Sequence, residues 1–136
     1  MQISNIPPDL DKLLTRLNLK QPKKCFMNCY MAVMNTLSKN EFDIHYVLGT
    51  VTTSDGHAVE HAWIKWNGEY YDPTLEPQGF HKSSNYKIEK EFSSEEIRSL
   101  LIGAFDMNHI KDMIEGRRPH CLLVKTGSGM YEFEGA

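Results

Sequence analysis

Apolar residues recur every third or fourth position over two N-terminal stretches, then at closer spacing through the middle of the chain, which predicts helices followed by strands. Leu10, Leu13, Leu14 and Leu17 fall on one face of a helix opened by Pro7 and Pro8 and running to about Leu19. Phe26, Tyr30, Val33, Met34 and Leu37 mark a second, amphipathic helix that starts just after Pro22 and ends near Ser38-Lys39-Asn40. Residues 44–53 read as a strand, turned by Ser54-Asp55-Gly56 into a second strand that carries His61. A third strand runs on to Thr74 and completes an antiparallel meander. The segment 76–84, with Pro77 and Gly79, is expected to be a loop rimming a cleft. A short strand over 86–92 follows, then a capping box at Ser93-Ser94-Glu95-Glu96 for a helix from Ser94 to about Ile102. A helical segment over 107–115 and two strands, 120–125 and 130–133 joined by Gly127-Ser128-Gly129, close the chain. The order gives one α+β domain over residues 1–136, without repeats or linkers.

The hairpin in the middle brings in chemistry. Asn67-Gly68 between aromatic and β-branched residues signals a two-residue type I′ turn, since both residues accept the positive φ it demands. That turn sets Trp66 against Glu69, Ile64 against Tyr71, Trp63 against Asp72 and His61 against Thr74. His61, Trp63, Asp72 and Thr74 then share a face, with His61 and Asp72 as diagonal neighbours roughly 7–8 Å apart at the backbone. An imidazole oriented by a carboxylate is the base half of a nucleophilic triad.

The nucleophile is sought in the second helix. Cys25 stands at its start, where unpaired amides and the positive end of the helix dipole favour a thiolate, and Lys23 and Lys24 add positive charge. At about 100° per residue Cys25 lies beside the apolar stripe, which allows it to line a cleft. Cys29 lies nearer that stripe and reads as a small buried hydrophobe.

The ordered motifs Cys25-Phe26-Met27-Asn28-Cys29, the Gly-containing strand at Tyr46-Val47-Leu48-Gly49, Glu60-His61-Ala62-Trp63 and Asp72-Pro73-Thr74 resemble the transglutaminase-like and papain-like cysteine hydrolase superfamily, most closely a small phage- and plasmid-type subgroup. The resemblance covers roughly residues 21–77. It implies a papain-like/transglutaminase-like fold, with N-terminal helices, the nucleophile helix among them, packed on an antiparallel β-sheet. It implies Cys25 as nucleophile, His61 as general base and Asp72 as orienting acid. Gln21, Asn28 and Trp63 are the expected oxyanion or substrate-positioning residues, with the Cys25 backbone amide as the main oxyanion donor.

The expected activity is hydrolysis of an amide bond in a protein or peptide through a thioester. The same residues also serve glutamine deamidation or acyl transfer on a host protein by a phage or bacterial effector, or a binding module that has lost catalysis. Asp72 before Pro73 also fits a plain turn initiator, and Trp63 a plain core residue. His45, His57, His81, His109 and His120 have no comparable partner geometry and are expected at the surface or in loops. Zinc is the competing chemistry, but Cys25, Cys29 and Cys121 do not make two closely spaced pairs, so neither metal nor cofactor is expected.

Composition narrows the partners. With 40% hydrophobic and 24% charged residues, the chain is an ordinary globular one. A formal charge of −3 and a pI near 6.0 give no basic footprint for nucleic acid. Three cysteines are not a disulfide framework and fit a reducing compartment. The N-terminus lacks a signal-peptide pattern and no apolar run would span a bilayer, so a cytoplasmic protein is expected, with delivery into a host cell compatible with the sequence.

Overall fold

The computed structural model describes residues 1–36 and 43–134. Helix α1 (Pro8–Arg16) has proline in its first turn, where the missing N–H has no intrahelical acceptor to lose, and Asp9 and Asp11 at its positive end. It buries Leu10 and Leu14 completely, a contribution of roughly 1.5–3 kcal/mol for each side chain. Helix α2 (Cys25–Met34) buries Cys29, Tyr30, Ala32 and Val33. It ends earlier than its apolar spacing suggests: Asn35 is the C-cap, and the Thr36 hydroxyl donates to the carbonyls of Ala32 and Val33. Leu37 and the expected stop at Ser38-Lys39-Asn40 lie outside the described residues.

Strands β1 (Ile44–Thr52), β2 (Ala58–Trp66), β3 (Glu69–Tyr71) and β4 (Asn85–Ser93) form an antiparallel sheet in the order β3-β2-β1-β4. The register of the Asn67-Gly68 hairpin is the expected one, with Ile64 paired to Tyr71 and Trp66 to Glu69. Asn67 and Gly68 both have positive φ, 47° and 90°.

The third strand does not reach Thr74. Pro73 offers no N–H to the ladder, and the Asp72 carboxylate Oδ1 accepts from the backbone N–H of Thr74 and of Leu75, each at 2.9 Å. This Asx turn ends β3 at Tyr71, so the expected pairs Trp63–Asp72 and His61–Thr74 are not ladder pairs. The segment expected to be a short strand is instead a nine-residue β4 alongside β1. Its register with β1 slips between Leu48–Lys90 and Gly49–Ile88, which leaves Glu89 as the extra residue of a β-bulge.

Helix α3 (Ser94–Ala104) begins at the expected capping box, with Ser93 and Glu96 exchanging hydrogen bonds. Helix α4 (Met107–Ile114) is capped by Asp106, and the hairpin β5 (Leu123–Lys125) and β6 (Tyr131–Phe133) follows. One core gathers the helices and hairpin around Tyr46, Ile64 and Phe92. A second, smaller one gathers Ile3, Val47, Val51, Trp63 and Tyr86. The result is an α+β fold, N-terminal helices on a four-stranded antiparallel sheet with C-terminal helices and a hairpin added. Among the described residues no helix is long and apolar enough to cross a membrane.

Candidate active site

Three elements bring Cys25, His61 and Asp72 together. His61 stands on β2 opposite Gly49 of β1. Its Nε2 lies 2.8 Å from Asp72 Oδ2, on a carboxylate whose other oxygen is fixed by the Asx turn. The other ring nitrogen remains for Cys25, whose thiol is near enough to raise the pKa of the imidazole. Burial pulls the His61 pKa down, but the bonds to Asp72 and Cys25 outweigh it and hold it at about 9. Asp72 is fully buried. Burial alone would raise its pKa, and the hydrogen bond and charge of His61 together with the Tyr86 hydroxyl hold it below the usual carboxylate value.

Tyr86 was not singled out by the sequence. Its hydroxyl donates to Asp72 Oδ2 at 2.6 Å, so the carboxylate has four partners: His61, Tyr86 and two backbone amides. Nothing local marks Tyr86, which reaches the site only because β4 pairs with β1.

The helix start has its own geometry. Lys23 has φ 62°, a left-handed conformation unusual for a non-glycine residue, and it turns the chain from Pro22 into α2. No side chain caps the helix at Lys24. The amides of the first turn, that of Cys25 included, therefore have no intrahelical or side-chain acceptor and suit an anionic group. Cys25 is half-buried while Cys29 is sealed. Burial first, then the Asp72 and Cys25 charges, push the Cys29 thiol well above its ordinary pKa, so Cys29 stays protonated and inert. No described cysteine is bonded to another.

The expected positioning residues are placed as follows. Asn28 is buried, and its amide donates both to the Gln21 carbonyl at 2.8 Å and to Thr74 Oγ1 at 2.9 Å, tying the start of α2 to the turn that holds Asp72. The Gln21 side chain is engaged with the Asn18 carbonyl at 3.0 Å. Trp63 is fully buried. It stacks on the His61 ring, with centroids 6.2 Å apart and planes 25° apart, and meets Tyr86 edge-on at 5.0 Å. It is thus both a core residue and a cover for the His–Asp pair. A side chain on Gly49 would come within 2.1 Å of the Lys87 carbonyl and 2.7 Å of the Trp63 ring, so only glycine lets that indole lie against β1 and β4.

Three of the other histidines have partners of their own. His45 is on β1 between Glu91 at 2.7 Å and Asp43 at 3.1 Å. His81 is buried against Asn5 at 2.7 Å, and exposed His57 meets Asp55 at 2.9 Å. None of the three touches the site. The 76–84 loop lines no part of the cavity beside His61. It holds the N-terminal segment instead, the Glu76 carboxylate accepting from the Ile6 N–H at 2.9 Å. Among the described residues no three His, Cys, Asp or Glu side chains converge as metal ligands.

Comparison with protein-family models, curated proteins and solved structures finds no match.

Proposed function

We propose that the chain is a cysteine-dependent amide-bond hydrolase of the papain-like/transglutaminase-like kind, with Cys25 as nucleophile, His61 as general base and acid, and Asp72 as orienter. The observation that carries this reading is the imidazole held by a buried carboxylate at 2.8 Å, with a half-buried thiol at a helix start near enough to act on it. An imidazole pKa of about 9 favours imidazolium at neutral pH, the partner a thiolate needs.

The Cys25 sulfur attacks the amide carbonyl, and the oxyanion is received by the Cys25 backbone N–H. His61 gives its proton to the leaving nitrogen as the C–N bond breaks, leaving a thioester. Water, deprotonated by His61, then attacks the thioester, releasing a carboxylic acid and regenerating the thiol. Asp72 fixes the tautomer and stabilises the imidazolium throughout. Trp63 keeps water from the His–Asp bond.

Alkylation by iodoacetamide tests this, with the modified cysteine located by mass spectrometry. Cys25 is expected to react rapidly near pH 6, well below the ordinary thiol pKa of about 8.5. Cys25→Ala is expected to remove that labelling and Cys29→Ala to leave it. A Cys25 rate that rises only as an ordinary thiol ionises would overturn the reading.

A further inference from the structure

A recess of about 220 Å³ opens beside the His61 ring. Phe26, Leu48 and Val124 give it an apolar wall, and Glu60, Glu89, Glu134 and Lys125 a charged one. The charged wall is assembled from distant parts of the chain: Glu60 from β2, Glu89 from the β4 bulge, Lys125 and Glu134 from the two ends of the C-terminal hairpin. A regular ladder would pair Glu89 with β1. As the extra residue of the bulge it is free to be re-aimed, and its carboxylate accepts from Thr50 at 2.8 Å and from the Lys125 ammonium at 2.9 Å.

Three carboxylates thus face one ammonium, which Glu89 already holds. Lys125 also shows what the wall accepts, since it is itself an alkylammonium seated on it, and the charge of Glu60 as well as that of Glu89 favours its protonated form. The His61 imidazolium is balanced by Asp72 behind it, and the wall keeps a net negative charge at Glu60 and Glu134. A carboxylate or phosphate would be repelled there, and a purely apolar group would leave the acids unused.

We propose that this recess receives the side chain of a lysine or arginine of a polypeptide substrate, next to the bond that is cut. The stem of that side chain lies along Phe26, Leu48 and Val124, with its cation at the carboxylates of Glu60 and Glu134. A basic protein or peptide is therefore the substrate class. This rests on Cys25 and His61 being the reacting pair.

Three iodoacetamides test it, each N-substituted with a five-carbon stem and ending in an ammonium, a methyl or a carboxylate group. Rates of Cys25 modification are compared at one pH and at low ionic strength. The ammonium reagent is expected to react roughly three- to tenfold faster than the methyl one, the effect two exposed ion pairs give, and the carboxylate reagent slower than both. In the double variant Glu60→Gln, Glu134→Gln the ammonium-to-methyl ratio is expected to fall toward one, and in Glu60→Lys, Glu134→Lys to invert. The ratio cancels any change in the thiol itself. Equal rates for the three reagents, or a preference that survives both double variants, would overturn the proposal. Unsubstituted iodoacetamide run alongside reads the activated thiol separately: slow labelling there with a clear charge ratio would fault the catalytic reading and not the recess.

Discussion

A buried carboxylate beside a titrating imidazole needs every lone pair answered, and Asp72 meets that need with two backbone amides, one imidazole and one phenol. The Tyr86 hydroxyl is pinned as a donor, since burial and then the Asp72 charge push its pKa up. Tyr86→Phe removes one hydrogen bond to a charged group, which costs about 1.5–3 kcal/mol. Urea denaturation is expected to show that loss, and carboxyl NMR a rise of the Asp72 pKa toward the ordinary range. An unchanged Asp72 titration would mean the phenol does not hold the acid. His61 and Asp72 were readable as a pair because the Asn67-Gly68 turn fixes the register between them. The phenol was not, because Tyr86 comes fourteen residues after Asp72 and across a sheet whose β1–β4 pairing leaves no local signal.

Among the elements, β1 carries a tight steric constraint at Gly49. Gly49 sits where the Trp63 ring and the Lys87 carbonyl both claim the volume a methyl group would need. Gly49→Ala forces one of them to move, and overpacking of this kind typically costs 1–3 kcal/mol. A drop of at least about that size is expected in chemical denaturation, with Trp63 fluorescence altered in the folded protein. A wild-type-like stability would show that the indole has room to shift.

Helix α2 was legible from Phe26, Tyr30, Val33 and Met34, and α3 from its capping box, since both signals act within one or two turns. The ends of β3 and α2 were less so. An Asx turn and a threonine back-bond, each made by a single side chain, stop elements that the apolar pattern alone would extend. The β4 bulge gave no sequence signal either, for a slip of register exists only between two strands.

For the whole molecule, the site's two titrations define a pH window of stability. The His61 pKa is raised from about 6.5 when unfolded to about 9 when folded, so its contribution is complete below the first value and is lost as pH rises through the second. Asp72 is depressed; its contribution is complete above the unfolded carboxylate pKa of about 3.9 and is lost as pH falls toward the folded value. Denaturation of wild type and His61→Gln across pH is expected to give a stability difference that is full at weakly acidic pH, narrows from about 6.5 upward and is gone above about 9. A difference independent of pH over that alkaline range would mean the folded imidazole is not held protonated.

The same molecule joins its first residues to its centre. Ile3 bridges Tyr70 in parallel, and the Ser4 N–H donates to the Tyr70 carbonyl at 2.8 Å. Ile6 is fastened to Glu76, and the Lys82 ammonium donates to the Ile3 carbonyl at 2.7 Å. Tyr70 and Glu76 bracket the Asx turn on either side. The amino-terminal hexapeptide is thereby a splint across the bend that holds the acid at the ring, and whatever loosens the splint would be felt at the imidazole.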